Sequence, residues 1–214
     1  MKIIAISGAL RKASTNTGLL RALVSVAPPG VEIEIATLHD IPLYDGDTEA
    51  VLGKPASVAA LDLKIRSADA VIIATPEYNF SYPGVLKNAT DWLSRGGSPF
   101  HWKKTGIIGA AAGPLGTGRA QYHLRQNLQG LEAIVMPKPE YFAGNNEDKF
   151  DSNGNLTDAD SRQRLAKWLE AFVAFTTAKS EKLLLLVKSL CGLHMGLGEG
   201  NGAGHVTKQG EFIC

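Results

Sequence analysis

The sequence predicts an α/β protein, a parallel five-stranded sheet covered by helices on both faces in a three-layer sandwich. Three observations carry this. Strand-like apolar runs alternate along the chain with segments of helical spacing, the pattern of right-handed crossovers between parallel strands. Two of the runs, Ala68–Thr75 and Thr105–Ala112, are apolar or small almost throughout, as strands buried on both faces are. The chain has 214 residues, 44% hydrophobic and 20% charged, which suits one packed domain rather than a disordered or fibrous chain.

The first strand is the apolar run Ile3–Ile6, ending at Ser7-Gly8, and a helical pattern follows from about Thr17. Pro28-Pro29-Gly30 then separates that helix from Val31–Leu38, whose alternation of apolar and polar residues is that of a half-exposed edge strand. Residues 39–54 are polar and rich in Gly, Pro and Asp and read as a long loop. Val58–Ser67 fits a helix packed through Ala59, Leu61, Leu63 and Ile65. Ala68–Thr75 is the central strand. Pro83–Leu93 is a helix with proline in its opening turn. Thr105–Ala112 is a strand thinned by glycine and alanine, Gly118–Gln129 a helix, and Ala133–Met136 opens the last strand. Thr157 followed by Asp160 is a capping signature for the final helix. Its stripe Leu165, Trp168, Leu169, Phe172 and Val173 has the spacing of a core-facing surface.

Five such strands fit the flavodoxin-like order 2-1-3-4-5. In open parallel sheets ligands bind beyond the carboxyl ends of the strands, where the strand order reverses. The loops after Ile6, Thr75 and Ala112 are therefore the candidate site.

Composition narrows the function. A net charge of +1 argues against nucleic acid or an anionic membrane as partner. No apolar run is long enough to span a bilayer, and the N-terminus shows one Lys and then strand-like sequence, without a signal-peptide pattern. Cys191 and Cys214 are the two cysteines, so the body before them offers neither thiol catalysis nor a cysteine-ligated metal. A cytoplasmic setting is expected, and no metal site is.

The first loop runs from Ser7 to Asn16 (SGALRKASTN). Hydroxyls and one Arg precede a helix start, where unpaired backbone N–H groups and the helix dipole favour an anion. The loop has neither G-x-G-x-x-G nor G-x-x-x-x-G-K-[ST] spacing. It reads as a cradle for a terminal phosphate, although a turn in which Ser and Asn only cap the helix accounts for the same residues. The second loop, Pro76–Gly84 (PEYNFSYPG), is stiffened by two prolines and carries Tyr78, Phe80 and Tyr82 as flat apolar faces with Asn79 as a polar group. A planar heterocycle with a polar edge needs such a shelf; Glu77 reads equally as a surface charge. The third loop, Ala112–Arg119, offers glycines that let backbone approach a ligand, and Arg119 either stabilises an electron-rich ring edge or faces water. Phosphate cradle, flat shelf and glycine-lined edge together describe a flavin mononucleotide pocket.

Three segments now resemble a known family. They are Ser7–Asn16; Pro76–Trp92, with its P-E-Y-N-x-S-x-P-G-x-L-K-N-x-x-D-W run; and Gly116–Gln126. The chain resembles, over about residues 1–180, the NAD(P)H-dependent FMN reductase family, the flavodoxin-like group that includes NADPH:quinone oxidoreductases, chromate reductases and azoreductases. The resemblance implies bound FMN, NADPH or NADH as co-substrate, a homodimer or dimer of dimers, and reduction of quinones, free flavin, azo dyes or chromate. It implies that Arg11, Ser14 and Asn16 hold the phosphate with backbone help from residues 9–15. Residues 76–79 would contact the isoalloxazine, Tyr78 near its face and Asn79 at its polar edge, and Ala112 and Gly113 would approach the pyrimidine side. The candidate cofactor set is Ser7, Ala9, Leu10, Arg11, Ser14, Thr15 and Asn16; Pro76, Glu77, Tyr78 and Asn79; and Ala112, Gly113, Gly116 and Arg119. Ala9 departs from the family's usual serine and removes one hydroxyl. Lys87, Asn88, Asp91 and Trp92 read as framework for the loop and the subunit interface.

The expected chemistry is ping-pong hydride transfer, carried by the flavin with no catalytic side chain. His39, His101 and His123 have no carboxylate or serine partner recognisable in sequence. A flavodoxin-type electron carrier is the competing function. Residues 1–178 form the expected FMN domain. Residues 179–214, a leucine run followed by a glycine-rich stretch, are an extension that is either flexible or non-native, or a short helix across a subunit interface.

Overall fold

The computed structural model describes residues 1–178, and Met1–Thr177 packs as one unit. The expectation for 179–214 lies outside the described residues. The strands are β1 (Lys2–Ser7), β2 (Glu32–Ala36), β3 (Ala70–Ala74), β4 (Lys104–Ala110), β5 (Ile134–Val135) and β6 (Tyr141–Ala143). They form one parallel sheet in the order β2-β1-β3-β4-β5, with β6 also paired to β4. The register sets Ile3 between Ile33 and Ala70, and Ile73 beside Ile107.

The 2-1-3-4-5 order holds, with the fifth position broken in two. Ile134–Val135 pairs with the start of β4 and Tyr141–Ala143 with its end. Pro137 and Pro139 lie between, and proline cannot donate to a ladder.

Alternation along the strands divides the core. Ile3, Ala5, Ile72 and Ile108 face α1 (Thr15–Ser25) and α6 (Ala159–Thr177) through Leu19, Leu23, Leu165, Trp168 and Phe172. Ile4, Ile6, Val71, Ile73 and Ile107 face α3 (Ala56–Ser67), α4 (Gly84–Leu93) and α5 (Gly118–Gly130) through Leu61, Ile65, Leu86, Trp92 and Leu124. The stripe on α6 is core, as its spacing predicts. The glycines of β4 make room for the protein's own groups. A Cβ on Gly106 would lie 2.7 Å from Trp168, and one on Gly109 would lie 1.9 Å from the Thr117 hydroxyl.

Four local expectations change. Residues 39–54 contain α2 (Gly46–Leu52), which buries no residue and so lacks an apolar period to betray it. It is held by its Asp45 cap, which accepts from Asp47 N at 2.9 Å, and by the Arg95–Glu49 ion pair. On α3, Val58, Leu61 and Ile65 are buried while Ala59 and Leu63 are exposed; the i, i+2 spacing of the expected set cannot stay on one helix face. Helix α1 begins two residues early, at Thr15, because Ser14 caps it. Helix α6 is capped by Asp158, whose Oδ1 accepts from Ser161 N at 2.8 Å, while Thr157 is turned away and its hydroxyl donates to Lys149 O at 3.1 Å.

Candidate active site

The ends of β1, β3 and β4 lie side by side at the centre of the sheet, and three loops leave them in the same direction. The β1 loop is fixed by its own polar groups. Gly8 N continues the ladder to Ala74 O at 2.8 Å. The Ser7 hydroxyl, fully buried, bonds the Thr17 hydroxyl at 2.8 Å and accepts from Ala9 N at 3.3 Å. Ser14 Oγ accepts from Asn16 N at 3.2 Å and Thr17 N at 3.4 Å, satisfying two of the helix's orphan donors. Asn16, 3% exposed, spends its amide on β4: Nδ2 donates to Ala110 O and Oδ1 accepts from Ala110 N, both at 2.9 Å.

The β3 loop turns on Tyr78–Ser81. Tyr78 N donates to Ser81 O at 2.9 Å and Ser81 N to Tyr78 O at 3.0 Å, with Asn79 at φ +49 and Phe80 at φ +67. Two central residues with positive φ make a type I′ turn. Asn tolerates that region, whereas a left-handed Phe costs on the order of 1–2 kcal/mol. Glu77, only 6% exposed at its side chain, is no surface charge: it pairs with Arg119 and accepts from Ala120 N at 3.1 Å, capping α5. Arg119 also lies 4.0 Å over the Phe80 ring. Its side chain is 45% exposed, so Arg119 does face water, but it does so while engaged by Glu77 and Phe80.

In the β4 loop, Gly116 N donates to Gly113 O at 3.0 Å. Gly116 needs its glycine, with φ +58 and a Cβ position 3.2 Å from Ala143 N and Gly144 N. Gly113 has open space where a side chain would be.

Between the loops lies a cleft of about 220 Å³ lined by Arg11, Ser14, Thr15, Asn16, Pro76, Glu77, Tyr78, Ala110 and Ala111. Seven expected site residues meet there. Ser7 and Ala9 are buried behind the loop, and Leu10 accepts at its carbonyl from His39 Nε2 when that nitrogen is protonated, at 2.8 Å. Asn79, Ala112, Gly113, Gly116 and Arg119 do not line the cleft, while Ala110 and Ala111 do. The strand ends two residues before the sequence suggests, and no residue type marked that end. A larger cavity, about 630 Å³, opens beside Arg66, His101 and Lys103. It lies at the opposite, amino end of β4, and its charges are used: Arg66 pairs with Asp62, His101 with Glu132, and Lys103 Nζ donates to Ala68 O at 2.6 Å.

The donor set suits a phosphate monoester with a flat aromatic group. Arg11 has no acidic partner among the described residues and stands by the positive end of the α1 dipole. Tyr78, 56% exposed, offers a ring face at the other end of the cleft.

The histidines do have partners once folded, including Ser81 Oγ at 3.2 Å from His123 Nδ1. Lys87 pairs with Asp91, and Asn88 and Trp92 hold the β2–α2 connection: Asn88 Nδ2 and Trp92 Nε1 donate to Pro42 O at 2.7 and 2.9 Å.

The family model described as NADPH-dependent FMN reductase matches residues 1–148. The NAD(P)H-dependent FMN reductase of Pseudomonas aeruginosa is 45% identical over 172 residues, covering 80% of this chain and 92% of that protein. The quinone reductase of Escherichia coli is 43% identical over 178 residues, covering 82% and 95%. Among solved structures, FerB, the flavoenzyme NAD(P)H:(acceptor) oxidoreductase from Paracoccus denitrificans, superposes with TM-score 0.74 at 33% identity, covering 82% of this chain and 96% of that one. Agreement of cleft, topology and near-complete coverage has one reading: the chain belongs to the NADPH-dependent FMN reductase family and is an FMN-dependent NAD(P)H oxidoreductase.

Proposed function

We propose that the chain holds FMN in the cleft between the β1 and β3 loops and uses NAD(P)H to reduce quinones and free flavin in ping-pong fashion. The observation that carries this is the pairing of an acid-free Arg11 beside the α1 N-terminus with the exposed Tyr78 ring across one cleft. Arg11, the Ser14 hydroxyl and nearby backbone would bind the phosphate; Pro76 and Tyr78 would seat the ring. Hydride exchange is the chemistry FMN supplies when bound. The polypeptide's part is to orient it and to leave one face free for donor and acceptor in turn. Azo dyes and chromate belong to the same open-acceptor reading. A flavodoxin-type carrier is less well supported, since the matching relatives are named as reductases.

Self-association is part of this reading. Leu43, Val51 and Leu52 are 84%, 81% and 77% exposed on and beside α2, apolar side chains of the kind that a surface between copies would use. A homodimer or tetramer would cover them. The cysteine-free body suits a reducing cytoplasm.

The test is the visible spectrum of the purified protein, then anaerobic addition of NADPH or NADH. Bleaching of bound flavin, with recovery on adding benzoquinone, is expected. A protein that cannot be loaded with FMN, or a loaded one that neither nucleotide bleaches, overturns the proposal. Sedimentation velocity reads the oligomer.

A further inference from the structure

The outer face of α5 touches the β3 turn twice. Arg119 and His123 are four residues apart and so share that face. Arg119 covers Phe80 and pairs with Glu77, while His123 Nδ1 lies 3.2 Å from Ser81 Oγ. The turn between them holds Phe80 in a conformation that its residue type disfavours. Asn79 and Phe80 both have positive φ, and Phe has no local reason to stay there. Packing does not hold it either, because Phe80 is 63% exposed. The turn's two backbone hydrogen bonds are common to any such turn. What this turn has in addition is the pair of tethers to a helix that is itself anchored by the fully buried Ala120, Leu124 and Leu128.

We propose that His123 is a positioning residue: its hydrogen bond to Ser81 locks the left-handed turn and so fixes the angle at which Tyr78 enters the cleft. Tyr78 is the residue immediately before the two left-handed positions, and its N–H and C=O close the turn. A change of turn type would therefore swing its ring. His123 is exposed and outside the core, so replacing it leaves the packing of α5 intact. The role rests on the proposed function only in naming the Tyr78 ring as the flavin shelf; the locking of the turn stands apart from it.

The experiment compares His123→Leu, Ser81→Ala and His123→Asn, the last keeping a hydrogen-bonding group near the Nδ1 position, in FMN-loaded protein. Amide hydrogen exchange over residues 77–82 reports the turn, and steady-state kinetics with benzoquinone report the shelf. Loss of one ordinary hydrogen bond predicts exchange faster by about fivefold in His123→Leu and Ser81→Ala. The KM for benzoquinone rises by a similar factor with kcat nearly unchanged, His123→Asn restores both readings, and the double variant His123→Leu/Ser81→Ala is no worse than either single one. Exchange in His123→Leu equal to wild type, or His123→Asn as impaired as His123→Leu, overturns the role. Exchange measured on flavin-free protein decides the turn by itself, so failure to load FMN would count against the proposed function and not against the lock.

Discussion

Asn16 grips both backbone groups of Ala110, donating to its carbonyl and accepting from its amide at 2.9 Å each. One side chain at the start of α1 thereby pairs the edge of β4 that lies beyond its last β3 partner, while β6 holds the other edge, and ties α1 to the wall of the cleft. Asn16→Asp leaves the acceptor but turns the donor into a second oxygen facing Ala110 O. With the site buried, the expected loss is about 2–3 kcal/mol of stability, read as a lower urea midpoint with unchanged m-value. A midpoint within experimental scatter of wild type would remove Asn16 as the brace.

Arg11 makes the opposite case. It is exposed and has no acidic partner among the described residues, so Arg11→Ala should change the unfolding free energy by no more than about 0.5 kcal/mol. A charged hydrogen bond to phosphate is worth roughly 1.5–3 kcal/mol, so FMN dissociation should weaken by about tenfold to a hundredfold. Fluorescence titration of the stripped protein measures it, and an unchanged dissociation constant removes Arg11 from the phosphate site.

Two glycines separate folding from binding. A Cβ on Gly18 would sit 1.7 Å from Gly154 O, where the 151–155 loop docks on α1 and Arg21 Nε donates to Asn155 Oδ1 at 2.7 Å. Gly18→Ala must push that loop away, at a cost of about 1–3 kcal/mol, and lowers Tm. Gly113→Ala meets nothing within 4 Å and leaves Tm unchanged. If Gly113 faces the flavin edge, the same substitution weakens FMN binding; unchanged binding confines the ligand to the Arg11–Tyr78 side.

Tyr141 gives an alkaline signature. Its ring is 2% exposed, its hydroxyl donates to Ser161 O at 3.1 Å, and burial pushes the phenol up to about 12. The neutral form is favoured in the fold, so the unfolded chain loses this proton first. The contribution is complete below pH 10 and is lost as pH rises from 10 towards 12, amounting to roughly 2–3 kcal/mol at most. Tyr141→Phe should cost about 1 kcal/mol at pH 7 and flatten this segment of the stability profile. A wild-type and variant difference that stays constant through pH 12 would show that Tyr141 ionises freely.

The strand order and all three loops were legible because they follow from periodicity and from the rule that ligands sit at carboxyl strand ends. The meeting of Arg11, Ser14 and Thr15 in one cleft was legible for the same reason. What escaped was set by tertiary partners. Nothing local distinguishes a Glu77 at the surface from one buried against Arg119 and Ala120 N. Ser7 and Asn16 have the composition of ligand donors, yet their side chains are spent on Thr17 and Ala110. The β4 boundary was misplaced by two residues because Ala110, Ala111 and Ala112 are chemically alike, and only pairing with β6 tells them apart.

The bonds that shape the cleft all run between parts of the polypeptide: Ser7 to Thr17, Asn16 to Ala110, Glu77 to Ala120. None of them asks for a ligand to complete it. The polar framework of the cleft is thus written into the chain itself, so a substitution at any of these six positions reshapes the cleft from within, without touching whatever it binds.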